Sequence, residues 1–232
     1  MTAQTMITAH NGADHTPENS MEYLLHAMAS PADAIEIDVR MNENRMLLFT
    51  HDKPADMNMS ADPFLQPSFL SLAETFSVLR SGGQLVNCDL KCGNLEKAIF
   101  QLAAESGMAE RLIFTGSVSL HRIREERLQE KVQIALNIEE YIPSLYDRCI
   151  ADPGQIIASA REICAICKFH HITCVNAYYR LATDDFMDIL QDAGIQLSVW
   201  TVNNLPDAVP FFNRNIYNIT TRNLRELTAY KM

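Results

Sequence analysis

The sequence predicts an α/β protein, a single-domain (β/α)8 TIM barrel, on three observations. Short apolar runs alternate with helix-length amphipathic runs along the whole chain. Gaps of that length between strands imply parallel βα units rather than a meander. About eight such units fit within 232 residues, an ordinary size for a one-domain barrel. No GxGxxG or Walker-type loop follows the first strand, which disfavours a nucleotide-binding doubly wound sheet. With no internal repeat, low-complexity tract or linker, residues 1–232 read as one domain.

Met6–His10 reads as the first strand. Pro17-Glu18-Asn19-Ser20 then starts a helix over Met21–Ala29, since Pro suits the helix entry and Asn and Ser cap it. Ala34–Arg40 and Met46–Thr50 are strands joined by the polar turn Asn42-Glu43-Asn44. Helix Ser71–Arg80 is stopped by Gly82-Gly83. Strand Gln84–Lys91, helix Leu95–Ser106 (ending at Gly107), strand Leu112–Thr115 and helix Ser119–Leu128 follow. The second half continues with strand Val132–Asn137, helix Gly154–His170, strand Thr173–Tyr178 and helix Asp184–Ala193, closed by Gly194. Strand Leu197–Val202, helix Asp207–Phe212 and strand Tyr217–Thr220 complete the pattern.

A formal charge of −10 argues against a nucleic-acid partner, because phosphate backbones are held mainly by Lys and Arg. It leaves room for a small anionic substrate held by a metal and local cations. The opening MTAQTMITAHNG lacks the basic patch and apolar core of a secretion signal. No run approaches the ~18 apolar residues of a membrane span. Six cysteines without disulfide-scaffold spacing then point to reduced thiols and a cytoplasmic setting. Cys164-Ala-Ile-Cys167 has CxxC spacing, but it lies within a helical run and has no second pair. Core packing is the better reading.

The chemistry is carried by polar residues at strand ends, where barrel active sites sit. Glu36 and Asp38 share one face of their strand, with Ile35, Ile37 and Val39 on the other. Asn87, Asp89 and Lys91 likewise share a face. Glu36, Asp38 and Asp89 are three hard oxygen ligands suited to one Mg²⁺ or Ca²⁺; pairing of Asp38 with Arg40, or Asp89 with Lys91, is the alternative. His10 and His51 end strands beside this cluster and are the general acid/base candidates. Lys91 is placed to offset phosphoryl charge, and Trp200 to form an apolar wall or pack in the core.

These residues lie in stretches that resemble the glycerophosphodiester phosphodiesterase family: AHNG with PEN downstream (Ala9–Gly12, Pro17–Asn19), IEIDV (Ile35–Val39) and HD (His51–Asp52). NCDLK (Asn87–Lys91), SVWTVN (Ser198–Asn203) and YNITT (Tyr217–Thr221) complete the series in the family's order. The resemblance implies a metal-dependent barrel that hydrolyses glycerophosphodiesters to glycerol 3-phosphate and an alcohol. Glu36, Asp38 and Asp89 would hold the metal, His10 and His51 would exchange protons, and Lys91 would lie near the phosphate. The partner implied is a small phosphodiester.

Three departures mark this chain. The family's Arg after the first histidine is Asn11 here, leaving an uncharged hydrogen-bonding group beside the phosphate. Its third metal ligand is usually Glu, and Asp89 is one methylene shorter. The segment Lys53–Leu70 is short where relatives carry a capping insertion. Two other readings stay open: a sphingomyelinase D-like or lysophospholipase D-like enzyme releasing a cyclic phosphate, and a non-catalytic barrel binding a phosphorylated ligand.

Overall fold

A computed structural model describes residues 4–53 and 69–231. Its parallel strands are β1 (Met6–Ala9), β2 (Ala34–Met41), β5 (Leu85–Leu90), β6 (Leu112–Gly116), β7 (Gln133–Asn137), β8 (Cys174–Tyr178), β9 (Gln196–Trp200) and β10 (Asn218–Thr221). Each pairs with its neighbours in turn, and β1 pairs with both β10 and β2, which closes the barrel. The predicted fold class is therefore the observed one.

Around the barrel lie α1 (Met21–Ala29), α2 (Leu72–Leu79), α3 (Glu96–Glu105), α4 (Leu120–Glu126), α5 (Leu145–Ala151), α6 (Gln155–His170), α7 (Asp184–Asp192), α8 (Leu205–Asn213) and α9 (Leu224–Lys231). Local chemistry sets their starts. Ser20 Oγ accepts the Tyr23 N–H, and Ser71 with Glu74 forms a reciprocal capping box. Outward strand residues such as Ile35, Ile37 and Val39 join helix residues Leu24, Phe76 and Ile99 in one buried core. Cys164 and Cys167 are part of that core, as their helical setting predicts. A smaller cluster of Ala34, Ile113, Ala135 and Cys174 fills the barrel near the strand starts.

Inside the barrel the packing turns polar towards the strand ends. Thr8 Oγ1 donates to Asn218 Oδ1 at 2.7 Å, and Asn218 Nδ2 donates to Ser198 Oγ at 3.0 Å. Ser198 in turn donates to Asn176, whose amide donates to Asn137, each at 2.8 Å. Five strands thus contribute to one hydrogen-bonded chain. Such groups are stable when buried only because each has a partner.

Met46–Thr50 contains β3 (Leu47–Phe49), which the polar turn after β2 folds back antiparallel to it and which pairs on with β4 (Leu70–Ser71). It is a hairpin arm beside the barrel, since a connection this short joins only antiparallel strands. Helices α5 and α9 are not predicted by the apolar pattern, because α5 spans seven residues and α9 is largely polar. The short Lys53–Leu70 segment, read as a missing cap, lies almost wholly outside the described residues.

Candidate active site

The C-terminal ends of the strands open into a cavity of about 660 Å³. Its lining includes His10, Glu36, Asp38, His51, Asp89, Lys91 and Trp200, seven of the eight residues singled out from the sequence. Asn11 is the exception.

Alternation along β2 carries Glu36 and Asp38 inward, to 4% and 3% exposure. The β2–β5 register sets Asp89 directly beside Asp38. Oxygens of Glu36, Asp38 and Asp89 lie within 4.8 Å of one another. Burial pushes the Glu36 carboxyl well above the ordinary carboxylate range, and the charges of Asp38 and Asp89 push it further. Lys91 Nζ sits 2.9 Å from Asp38 Oδ1 and 2.5 Å from Asp89 Oδ2. Burial works against its charge, but Asp89 and Asp38 outweigh it and raise the ammonium above its usual range. One lysine against three carboxylates, two buried and one half-buried, leaves negative charge uncompensated. An all-oxygen, net-negative donor set fits a divalent hard cation.

Asn11 is 1% exposed and its hydrogen-bonding groups are committed to the protein. Its amide nitrogen donates to Asp38 Oδ2 at 2.7 Å and to Asn19 Oδ1 at 2.8 Å. Its backbone N–H donates to Glu36 Oε2 at 2.7 Å, while its side-chain oxygen accepts the Asn19 N–H. Asn11 therefore orients two carboxylates rather than facing the cavity. Tyr23 braces the same corner, its hydroxyl shared between the carbonyls of Ala9 and Glu36 at 2.8 Å each.

His10 follows β1, with its Nδ1 3.0 Å from the Asn11 carbonyl and 4.0 Å from Glu36 Oε2. Burial lowers its pKa, and the nearby Arg222 guanidinium lowers it further, so the ring is neutral at pH 7. His51 reaches the rim by a different route. The β3 arm folds back along β2, where the Thr50 N–H donates to the Asp38 carbonyl and Arg40 Nε to the His51 carbonyl. Its Nδ1 lies 2.8 Å from Asp52 Oδ1, and more than half of its side chain is exposed. Trp200 lines the opposite wall with Tyr178 against it, ring centroids 5.7 Å apart. Its indole N–H has no hydrogen-bond partner among the described residues.

Two contributors escaped the sequence reading. Arg222 lines the cavity and donates from Nε to His10 Nδ1 at 2.9 Å. It stands immediately after β10, the strand-end position that revealed the other site residues, and that rule would have found it. Gly116, at the end of β6 with φ +76°, packs against Asp89. Only its place after the run Leu112–Thr115 marked it.

No family model matches the chain. A curated glycerophosphodiester phosphodiesterase from Caldanaerobacter subterraneus subsp. tengcongensis is 22% identical over 247 residues, covering 94% of each chain. The crystal structure of a glycerophosphodiester phosphodiesterase from Parabacteroides distasonis shares the fold at a TM-score of 0.72, with 15% identity and coverage of 98% and 97%. So does an Oleispira antarctica phosphodiesterase in complex with the product sn-glycerol-3-phosphate, at a TM-score of 0.70, 15% identity and coverage of 97% and 96%. Along nearly its whole length, in sequence and in barrel fold, the chain is similar to glycerophosphodiester phosphodiesterases.

Proposed function

We propose that the protein is a metal-dependent phosphodiesterase that hydrolyses a small glycerophosphodiester to glycerol 3-phosphate and an alcohol. The observation that carries this reading is the Glu36–Asp38–Asp89 cluster at the barrel mouth, with His10 and His51 lining the same cavity. The product-bound Oleispira antarctica relative supports the substrate class.

Glu36, Asp38 and Asp89 would hold one Mg²⁺ or Ca²⁺, which supplies Lewis-acid stabilisation of phosphoryl oxygen charge when bound. Lys91, fixed between Asp38 and Asp89, adds a positive charge at the same wall. His10, neutral at pH 7, takes the proton of the substrate's neighbouring hydroxyl as it attacks phosphorus, and His51 returns one to the departing alkoxide. Water then opens the resulting cyclic phosphate to glycerol 3-phosphate, with the same two histidines exchanging its protons. Asn11 keeps Glu36 and Asp38 aimed, and Trp200 forms the apolar side of the pocket. Six free thiols, five of them buried, suit a reducing compartment, and we place the enzyme in the cytoplasm. Among the described residues no helix is long and apolar enough to cross a membrane.

Phosphorus-31 spectra of the protein with glycerophosphocholine and related diesters, with and without chelator, test the reading. Glycerol 3-phosphate should accumulate only when metal is present, and His10→Ala or His51→Ala should abolish it. A cyclic phosphate that persists would assign the protein to the cyclising reaction instead. Ligand binding without turnover across a broad diester panel would make it a binding barrel.

A further inference from the structure

Among the described residues lining the cavity, the lysine and arginine side chains are Lys91 and Arg222. Five carboxylates line it too: Glu18, Glu36, Asp38, Asp89 and Glu140. Lys91 is tied to Asp38 and Asp89 and is mostly buried. Asn11, uncharged, is fully engaged inside the protein. An anionic ligand entering this cavity therefore meets one guanidinium with donors to spare.

Arg222 is held in a way that fixes its origin and leaves its tip adaptable. Its backbone N–H donates to Asn203 Oδ1 at 2.9 Å, and its carbonyl accepts the Asp14 N–H at 2.7 Å. The side chain is about half exposed, with Nη2 2.6 Å from Glu18 Oε1 and Nε on His10 Nδ1. A guanidinium has five N–H donors, so these two contacts leave three for a ligand.

The contact with His10 is also chemically unsettled. Nδ1 faces the Arg222 Nε–H, a permanent donor, at 2.9 Å and the Asn11 carbonyl, an acceptor, at 3.0 Å. A single ring nitrogen cannot satisfy both in one protonation state. With Arg222 in place, Nδ1 must accept, and the proton of the neutral ring sits on Nε2. With Arg222 withdrawn, Nδ1–H donates to the Asn11 carbonyl, and Nε2 becomes a free base.

We propose that Arg222 is the phosphate-binding cation of this site, and that in turning to the phosphate it releases His10 Nδ1 to the Asn11 carbonyl. The inference rests on the phosphodiesterase reading and deepens it. Substrate binding and readiness of the base are then one event. The proton moves within the His10 ring system by exchange with water, from Nε2 to Nδ1, with no net change in charge.

Calorimetric titration of glycerol 3-phosphate, and separately of inorganic phosphate, into wild type, Arg222→Lys, Arg222→Gln and Arg225→Gln in magnesium buffer tests the first half. Arg225 is a neighbouring exposed arginine paired with Asp14 and serves as the charge control. Affinity should fall roughly 10- to 100-fold in Arg222→Gln, partly recover in Arg222→Lys and hold in Arg225→Gln. Equal affinity in Arg222→Gln and wild type overturns the proposal, as does a wild type that binds neither ligand. If that wild type still turns over diesters, the function stands and only the role of Arg222 is lost. Nitrogen-15 spectra of histidine-labelled protein, assigned with His10→Gln, test the second half. The His10 proton should move from Nε2 to Nδ1 on adding glycerol 3-phosphate, and an unchanged tautomer overturns it.

Discussion

Gly116 occupies a position from which any Cβ would collide with Asp89 Oδ1 and the backbone of Leu90. A side chain there is doubly excluded, because its φ of +76° already disfavours every residue with a Cβ. Gly116→Ala should therefore lower the melting temperature and displace Asp89 from Glu36 and Asp38. Calorimetry with Mg²⁺ and with Ca²⁺ should show metal binding weakened by ~10-fold or more, in line with losses of groups that orient metal ligands. Native metal affinity in Gly116→Ala would show that Asp89 is not a ligand.

Glu36 makes stability depend on pH in a direction opposite to most carboxylates. Its folded pKa is raised, first by burial and then by Asp38 and Asp89, so the folded protein holds a proton that the unfolded chain has lost. Stability of the metal-free protein should then fall as pH rises above the ordinary carboxylate value. Thermal melts in chelator should be higher at pH 5.5 than at pH 7.5, and Glu36→Gln should flatten that difference. Added metal should raise the melting point most at the higher pH, where the carboxylate is free to bind it.

His10 should set the acid limb of the rate profile. Burial, then Arg222, lowers its pKa below the ordinary 6.5, so the imidazole stays neutral as pH falls through 6.5. The fall in kcat/KM on acidification should accordingly lie below that value. Arg222→Gln removes a positive neighbour and should move the limb towards higher pH. An acid limb unaffected by that substitution would mean that another group controls it.

Asn218 accepts from Thr8 and donates to Ser198 and Thr220, all inside the barrel. Truncation to Ala removes the protein partner of each of these groups. Asn218→Ala should cost about 1–3 kcal/mol in urea unfolding, the usual penalty for a buried group left unpaired. A substitution with no effect would mean that solvent reaches this layer.

Cys167 tests the reading of the CxxC pair. Burial, with a contribution from Cys164, pushes its thiol up to about 12, so the nucleophilic thiolate is scarce at neutral pH. Native protein at pH 8 should resist iodoacetamide at Cys167, with labelling appearing on unfolding. Rapid native labelling would contradict the core assignment.

The sequence made the barrel legible because each parallel stave is an apolar run separated from the next by a helix-length gap. It also marked β3, because the short polar turn Asn42-Glu43-Asn44 joins two apolar runs and only antiparallel strands can be joined so tightly. Helix α5 was hidden by its seven-residue length and α9 by its largely polar composition. The carboxylates were readable since Glu36, Asp38 and Asp89 alternate with apolar residues within strands. Asn11 was misplaced for the opposite reason: next to a catalytic candidate in sequence, it turns into the protein, where Asp38 and Asn19 hold it. Arg222, directly after β10, is marked by the same strand-end rule, but its contact with His10 joins the first and last strands, which local pattern does not encode.

The contact between His10 and Arg222 spans 212 positions and exists only where β1 meets β10. During translation, a nascent chain whose last strand is still inside the ribosome already has the carboxylates Glu36, Asp38 and Asp89 but lacks the residue that engages His10. The barrel's seam and its phosphate cation arrive together. A chain still short of β10 therefore lacks both the closed seam and the guanidinium proposed for the phosphate.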